Sequence, residues 1–178
     1  RESLDMYGGP DKELSANAFM TPLTLWTGLD FGQISKYCDA VSPKLYTMHW
    51  SVMVEFWGRQ LMSSNPGLSE EVVVRALAHL FDLGDHITAT RISDFGYPEP
   101  HEPHPIPNDC QERKIAQVCA EAGDRMHVTP LMHGYGPHDD FIRRFQIVAD
   151  SDAHGVWINR YGYLSDAKLD AVGHIWKS

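Results

Sequence analysis

Cysteine is scarce. Cys38, Cys110 and Cys119 are too few and too scattered in 178 residues for a disulfide framework. Cys110 and Cys119 fall on one expected helix, well over a turn apart, and cannot bridge each other. Buried or incidental thiols are the expectation for all three. Basic residues are also in deficit. Fifteen Lys and Arg stand against 24 Asp and Glu, a formal net charge of -9. That balance argues against nucleic acid or an anionic membrane surface as the main partner, and weakens the case for a phosphate-rich substrate. No apolar run is long enough to span a bilayer, so no membrane partner is expected. A Gly-x-Ser-x-Gly nucleophile elbow is missing. So is a phosphate loop, because Gly134-Tyr135-Gly136-Pro137 lacks both the pattern and its lysine. No signal-peptide pattern is visible. The chain opens on Arg1 rather than Met, so an upstream segment is among the expectations.

What is present reads as one α/β domain spanning 1–178, with 43% hydrophobic and 22% charged residues, values ordinary for a globular chain with a real core. Residues 1–16 read as a polar connector around Gly8-Gly9-Pro10. Strands are expected at Ala18–Trp26, Val41–Trp50, Met126–His133 and Gly155–Ile158. The last is apolar enough to be buried on both faces. Pro22 and Pro43 cannot donate to a ladder, so the first two strands are expected to run after them. Helices follow each strand. Asp30 caps one carrying Phe31, Ile34, Tyr37 and Cys38. Val52–Met62 makes another, broken by Asn65-Pro66-Gly67, and Ser69 caps a third with Val73, Ala76, Leu77 and Leu80 buried. Asp109 opens a helix that Gly123 ends. Pro137 and His138-Asp139-Asp140 open the next. Ser165 caps the last, with Leu169, Val172, Ile175 and Trp176 as its apolar stripe. Phe56, Trp57 and Trp176, at helical spacing, are expected in the core. Between the third and fourth helices lies a Pro-rich insertion at about 84–108, with five prolines from Pro98 to Pro107, suited to a rigid binding loop or lid.

Strand-helix alternation implies a parallel sheet. Two architectures fit: half of a (β/α)8 barrel, or a small open parallel α/β sheet. In either, ligands bind at the carboxyl ends of the strands. Thr21-Pro22-Leu23, Ser42-Pro43-Lys44 and Thr129-Pro130-Leu131 share a pattern, and aromatic or His residues follow each. The expected surface holds Trp26, Tyr46, His49, Trp50, His133, Tyr135, Asn159, Arg160 and Tyr161, with Tyr97 from the loop. Aromatic faces with scattered hydrogen-bonding groups suit a sugar, whose C–H faces stack while its hydroxyls find polar partners.

The Val41–Trp50 stretch, with its Ser-Pro-x-x-Tyr strand, and Gly155–Leu169 resemble the late strands of glycoside-hydrolase-like (β/α)8 barrel proteins. The resemblance covers Ala18 to Trp176, corresponding to the C-terminal half of such a barrel. It implies a carbohydrate ligand, and a partner chain or second copy to complete the barrel. Glycosidases of this type place an acid at a late strand end. This chain has His133-Gly134-Tyr135 and Asn159-Arg160-Tyr161 there instead. Glycoside hydrolysis uses two carboxylates, for which the loop offers Glu99 and Glu102, Glu99 being the stronger candidate. Asp139, Asp140, Asp30 and Asp166 read as helix-start residues, and Glu55 as a partnered acid in an apolar helix. One alternative is a non-catalytic sugar-binding or assembly subunit, in keeping with the missing strand-end acids. Another is a metal-dependent enzyme using His101, Glu102 and His104, or His133, His138 and Asp139. The ten histidines nevertheless show no helical His-x-x-x-His pair or closed ligand signature, so no metal ligands and no cofactor are assigned.

Overall fold

A computed structural model describes residues 1–9, 11–84 and 87–176. Pro10 of the expected connector, and Asp85 and His86 of the expected insertion, lie outside these. Five strands, Ser15–Phe19 (β1), Ala40–Leu45 (β2), His127–Val128 (β3), Leu131–His133 (β4) and Trp157–Asn159 (β5), form one parallel sheet. The helices are Glu2–Tyr7 (α1), Leu23–Trp26 (α2), Phe31–Ile34 (α3), Thr47–Ser64 (α4), Glu70–Leu80 (α5), Asn108–Ala122 (α6), His138–Ala149 (α7) and Asp166–Ile175 (α8).

β3 and β4 are two pieces of one course, interrupted at Thr129-Pro130, and both pair with β2. Four courses therefore lie side by side in chain order, without the reversal of a doubly wound sheet. The prolines fit into this sheet differently from expectation. Pro43 sits within β2, opposite Ala18 of β1. Thr129 N donates to Val41 O at 2.9 Å. Backbone groups two residues apart point to the same side of a strand, so the donor Pro43 lacks falls at the Thr129-Pro130 break. Ser42 Oγ and Thr129 Oγ1, 3.0 Å apart, bridge the interruption with side chains.

Both early strands end sooner than the sequence predicts. β1 stops at Phe19, and Pro22 then stands at the N-cap of α2, so Trp26 is helical. β2 stops at Leu45, which puts His49 and Trp50 in the first turn of α4. The expected polar connector contains α1. β5 was expected to be buried on both faces, but it is the last course of the sheet and Trp157 is 62% exposed. Asp30 and Ser165 cap α3 and α8 through Gln33 N and Lys168 N. Ser69 occupies an N-cap position without a side-chain hydrogen bond. Glu55 pairs with Arg59 at 2.6 Å on the surface of α4.

Side chains alternate across each strand, and the two faces of this sheet differ. Ala18, Val41, Leu45, Val128 and Met132 face the helices and are buried. On the other face, Phe19, Lys44, Leu131 and Trp157 share one register row, and none is buried. The main core gathers Phe31, Val54, Val74, Leu77, Ile115 and Val118 around β1–β3. A second cluster of Met132, Phe141 and Phe145 meets Ile158, Val172 and Ile175 under β4 and β5. Phe56, Trp57 and Trp176, expected in the core, are exposed. Phe56 and Trp57 face solvent from α4, and the Trp176 ring only edges onto Phe145, 6.1 Å away.

Candidate functional site

The carboxyl ends of the parallel strands share one rim, and a cluster of rings forms there. β2 hands over to Tyr46 and the first turn of α4, which carries His49. β4 ends in His133, and its register partner on β5 is Asn159. The Tyr46 ring stands edge-on to His49 at 5.5 Å and to His133 at 5.2 Å. Asn159 Nδ2 donates to Tyr46 Oη. Tyr97 reaches in from the Pro-rich insertion, 5.9 Å from His49 and 5.3 Å from Tyr135. Tyr135 Oη donates to Pro98 O at 2.9 Å, pinning that insertion to the rim. Tyr163 closes the ring of contacts at 5.6 Å from His133 and 5.3 Å from Tyr135.

Both rim imidazoles are neutral at pH 7. Burial pushes His133 down to about 4, with His49, Arg160 and Arg144 adding to the shift. His133 Nδ1 accepts from Tyr135 N at 3.0 Å, so its proton resides on Nε2. His133 thus offers a hydrogen-bond donor to a ligand. His49 is held below its ordinary value by desolvation against its ring neighbours and by the Lys44 charge.

The loop from His133 to Gly136 is held from below. Arg144 is fully buried; its Nη1 and Nη2 donate to His133 O (3.1 Å) and Tyr135 O (2.6 Å). Lys168 Nζ donates to Gly134 O (2.9 Å), Gly136 O (2.7 Å) and Tyr163 O (3.1 Å). Four successive carbonyls are therefore taken by two buried cations. The counter-charge is Asp140, 2.8 Å from Arg144 and 2.6 Å from Arg143. Burial works to raise Asp140, but Arg144 and Arg143 outweigh it and hold the carboxyl below its usual range. Asp139 fits its helix-start expectation, whereas Asp140 is also the buried anion of this network. Gly136 has φ +97°, and a Cβ there would come within 3.0 Å of His104 Nε2. His104 is buried, bonded to Thr47 Oγ1 through Nδ1 at 2.6 Å, with no partner on Nε2 among the described residues. Burial, then Arg144, pushes it down to about 3.

The rim brings together Tyr46, His49, Tyr97, His133, Tyr135 and Asn159 of the expected set. Arg160 follows Asn159 in a left-handed conformation at φ +67°, close enough for its charge to act on His133. Tyr161 does not join, being 76% exposed. Trp26 lies against Phe81, 5.5 Å away, on α2. Trp50 is buried under the Lys114 ammonium, so it is not a rim platform. Glu99 and Glu102 sit exposed on the insertion, where Glu102 Oε2 accepts from Glu99 N at 3.0 Å. Glu99 directly follows Pro98, whose carbonyl accepts from Tyr135 Oη, and so stands beside the rim; burial raises the Tyr135 phenol, and the Glu99 charge adds to it. Among the described residues no three His, Cys, Asp or Glu side chains converge to hold a metal ion. His101 is exposed and His104 is committed to Thr47.

Tyr163, Lys44, Arg144 and Lys168 were not singled out from the sequence. For Arg144 and Lys168 a signal existed: each is a charge set into the apolar stripe of its helix. No protein-family model, no curated protein and no solved structure matches this chain.

Proposed function

We propose that this chain is half of a glycoside-hydrolase-like (β/α)8 barrel, and that its rim cluster binds a sugar. Support comes from the four parallel courses lying in chain order and from the unburied row of Phe19, Lys44, Leu131 and Trp157 on one face of the sheet. In a closed barrel that face becomes the interior, filled by side chains from all eight strands. A second copy or a partner chain supplies the other half. The rim carries ring faces for C–H stacking, and Asn159, neutral His133 and Tyr46 for hydroxyls. Hydrolysis needs two carboxylates. Glu99 is this chain's contribution beside the rim, and the second acid belongs to the completing half.

Two measurements test this reading. Native mass spectrometry of the particle is expected to give a dimer of this chain or a complex with a different polypeptide; a lone 20.1 kDa chain would sink the half-barrel. Titration with a panel of methyl glycosides is expected to find saturable binding that Asn159→Ala weakens about tenfold, the loss of one or two hydrogen bonds to a buried partner. Binding unchanged in Asn159→Ala would remove the rim from the site. If the completed particle hydrolyses its ligand, Glu99→Gln is expected to lower kcat while leaving affinity intact; undiminished kcat would reject Glu99 as the acid.

A further inference from the structure

Next to the rim cluster, a cavity of about 460 Å³ opens between the end of β1 and the start of α4. Its walls are Phe19, Met20, Leu23, Trp50 and Met53. Met20, Leu23 and Trp50 are buried residues, so the cavity is a dent into the packed core with a rigid floor, not a loose surface patch. Its volume falls within the range of about 300–1,000 Å³ usual for small-molecule sites. Besides the Trp50 indole, its polar side chains are Lys44, Tyr46 and His49. Tyr46 and His49 form the wall shared with the rim cluster, and Lys44 stands with its ammonium 4.8 Å from the centre of the Phe19 ring.

A sugar ring is a poor occupant of this cavity. Each hydroxyl taken into it would give up its water without a partner on the Leu23, Met20 and Met53 side, a loss of roughly 1–3 kcal/mol apiece. An apolar ring carries no such cost and gains the contacts of two methionines, which adapt to irregular shapes and favour aromatic edges. Because Tyr46 and His49 border both spaces, a ligand can fill the two at once.

We propose that the cavity receives an apolar, aromatic aglycone of a glycoside whose sugar rests on Tyr46, His133 and Asn159. This assignment rests on the sugar-binding reading of the rim and narrows its ligand to aryl glycosides. Lys44 sits where it meets the oxygen or an acidic substituent of the aromatic group.

The test compares, on the native particle, the methyl glycoside and the 4-nitrophenyl glycoside of each sugar in the panel, together with free 4-nitrophenol. Calorimetric titration is expected to give at least about tenfold tighter binding of the aryl glycoside. Met53→Trp, which fills the cavity, is expected to abolish that advantage while leaving the methyl glycoside untouched, a result that also certifies its fold. Met53→Leu keeps the lining apolar and is expected to retain the advantage. Equal affinity for methyl and aryl glycosides in the wild type overturns the aglycone assignment and leaves the sugar site standing. If 4-nitrophenol binds as tightly as its glycoside and Asn159→Ala alters neither, the sugar reading falls and the aglycone assignment with it. No binding of any probe overturns both.

Discussion

Asp140→Ala is expected to destabilise the protein by about 3–5 kcal/mol, the cost of leaving a buried charge without its partner. The residue left behind is Arg144, whose guanidinium is buried and whose remaining bonds run to the His133 and Tyr135 carbonyls. Arg143 keeps some solvent contact and can turn outward; Arg144 cannot. A domain of this size has roughly 5–15 kcal/mol in all, so the loss is a large share of the total. Urea unfolding measures it. The double variant Asp140→Ala/Arg144→Met is expected to recover part of the loss, because an apolar side chain of similar length needs no counter-charge. A midpoint for Asp140→Ala within about 1 kcal/mol of wild type would show that water reaches Arg144 and that the network is not sealed.

Acid is expected to unfold this protein earlier than its carboxylates alone would. His104 and His133 have folded values pushed down to about 3 and about 4, against about 6.5 in an unfolded chain. A depressed folded value means that the unfolded chain takes up protons first. The contribution of each histidine is therefore complete above about pH 6.5 and is lost as the pH falls toward the folded value. At pH 5 the loss is roughly 2 kcal/mol from each. The groups facing His104 are Arg144, Asp140, Arg143 and His133, and the first of these makes a second positive charge costly. Urea midpoints at pH 7.5 and pH 5 should differ accordingly, and His104→Phe should flatten the slope. Identical midpoints for the wild type at the two values would rule out neutral burial of both rings.

How much of this was legible in the sequence depends on which physics decides each element. Alternating apolar runs and helix caps gave the parallel α/β class, and Asp30, Gly123 and Ser165 ended up where capping chemistry puts them. The rim residues Tyr46, His133, Tyr135 and Asn159 followed from their place at strand ends. What failed turned on proline and on tertiary partners. A proline in a strand is excluded only where its missing donor would face a neighbour. Pro43 escapes because Pro130 interrupts the facing course, a pairing between residues far apart in the chain. Assigning the strands after the prolines then displaced Trp26 and Trp50 from helices onto the rim. Tyr161 and Tyr163 are the same residue type two positions apart, and the turn that follows Arg160 leaves Tyr161 in solvent while Tyr163 reaches His133. The buried charges were visible in the helical stripes, but what they bind is a run of carbonyls, and carbonyls leave no mark in a sequence.

The side-by-side order of the strands also carries a kinetic meaning. β1 and β2 are separated by Met20 to Asp39, and β4 and β5 by a comparable stretch, but β2 and β3 are separated by Tyr46 to Met126. That last separation is about four times longer, two doublings, and each doubling of a closed loop adds about 0.6 kcal/mol of entropy cost. The two short crossovers are therefore expected to close first, each as its own βαβ nucleus, and the seam between β2 and β3 to zip last. Pulse-labelled hydrogen exchange during refolding should protect the Trp157 and Gly134 amides, bonded between β4 and β5, before the His127 and Thr129 amides, bonded to β2; simultaneous protection would mean that the sheet forms in one step. The seam that closes last is the one where Pro43 faces the Thr129-Pro130 break and the ladder is interrupted. The molecule thus joins its two halves across a break in its ladder that the Ser42 and Thr129 hydroxyls bridge.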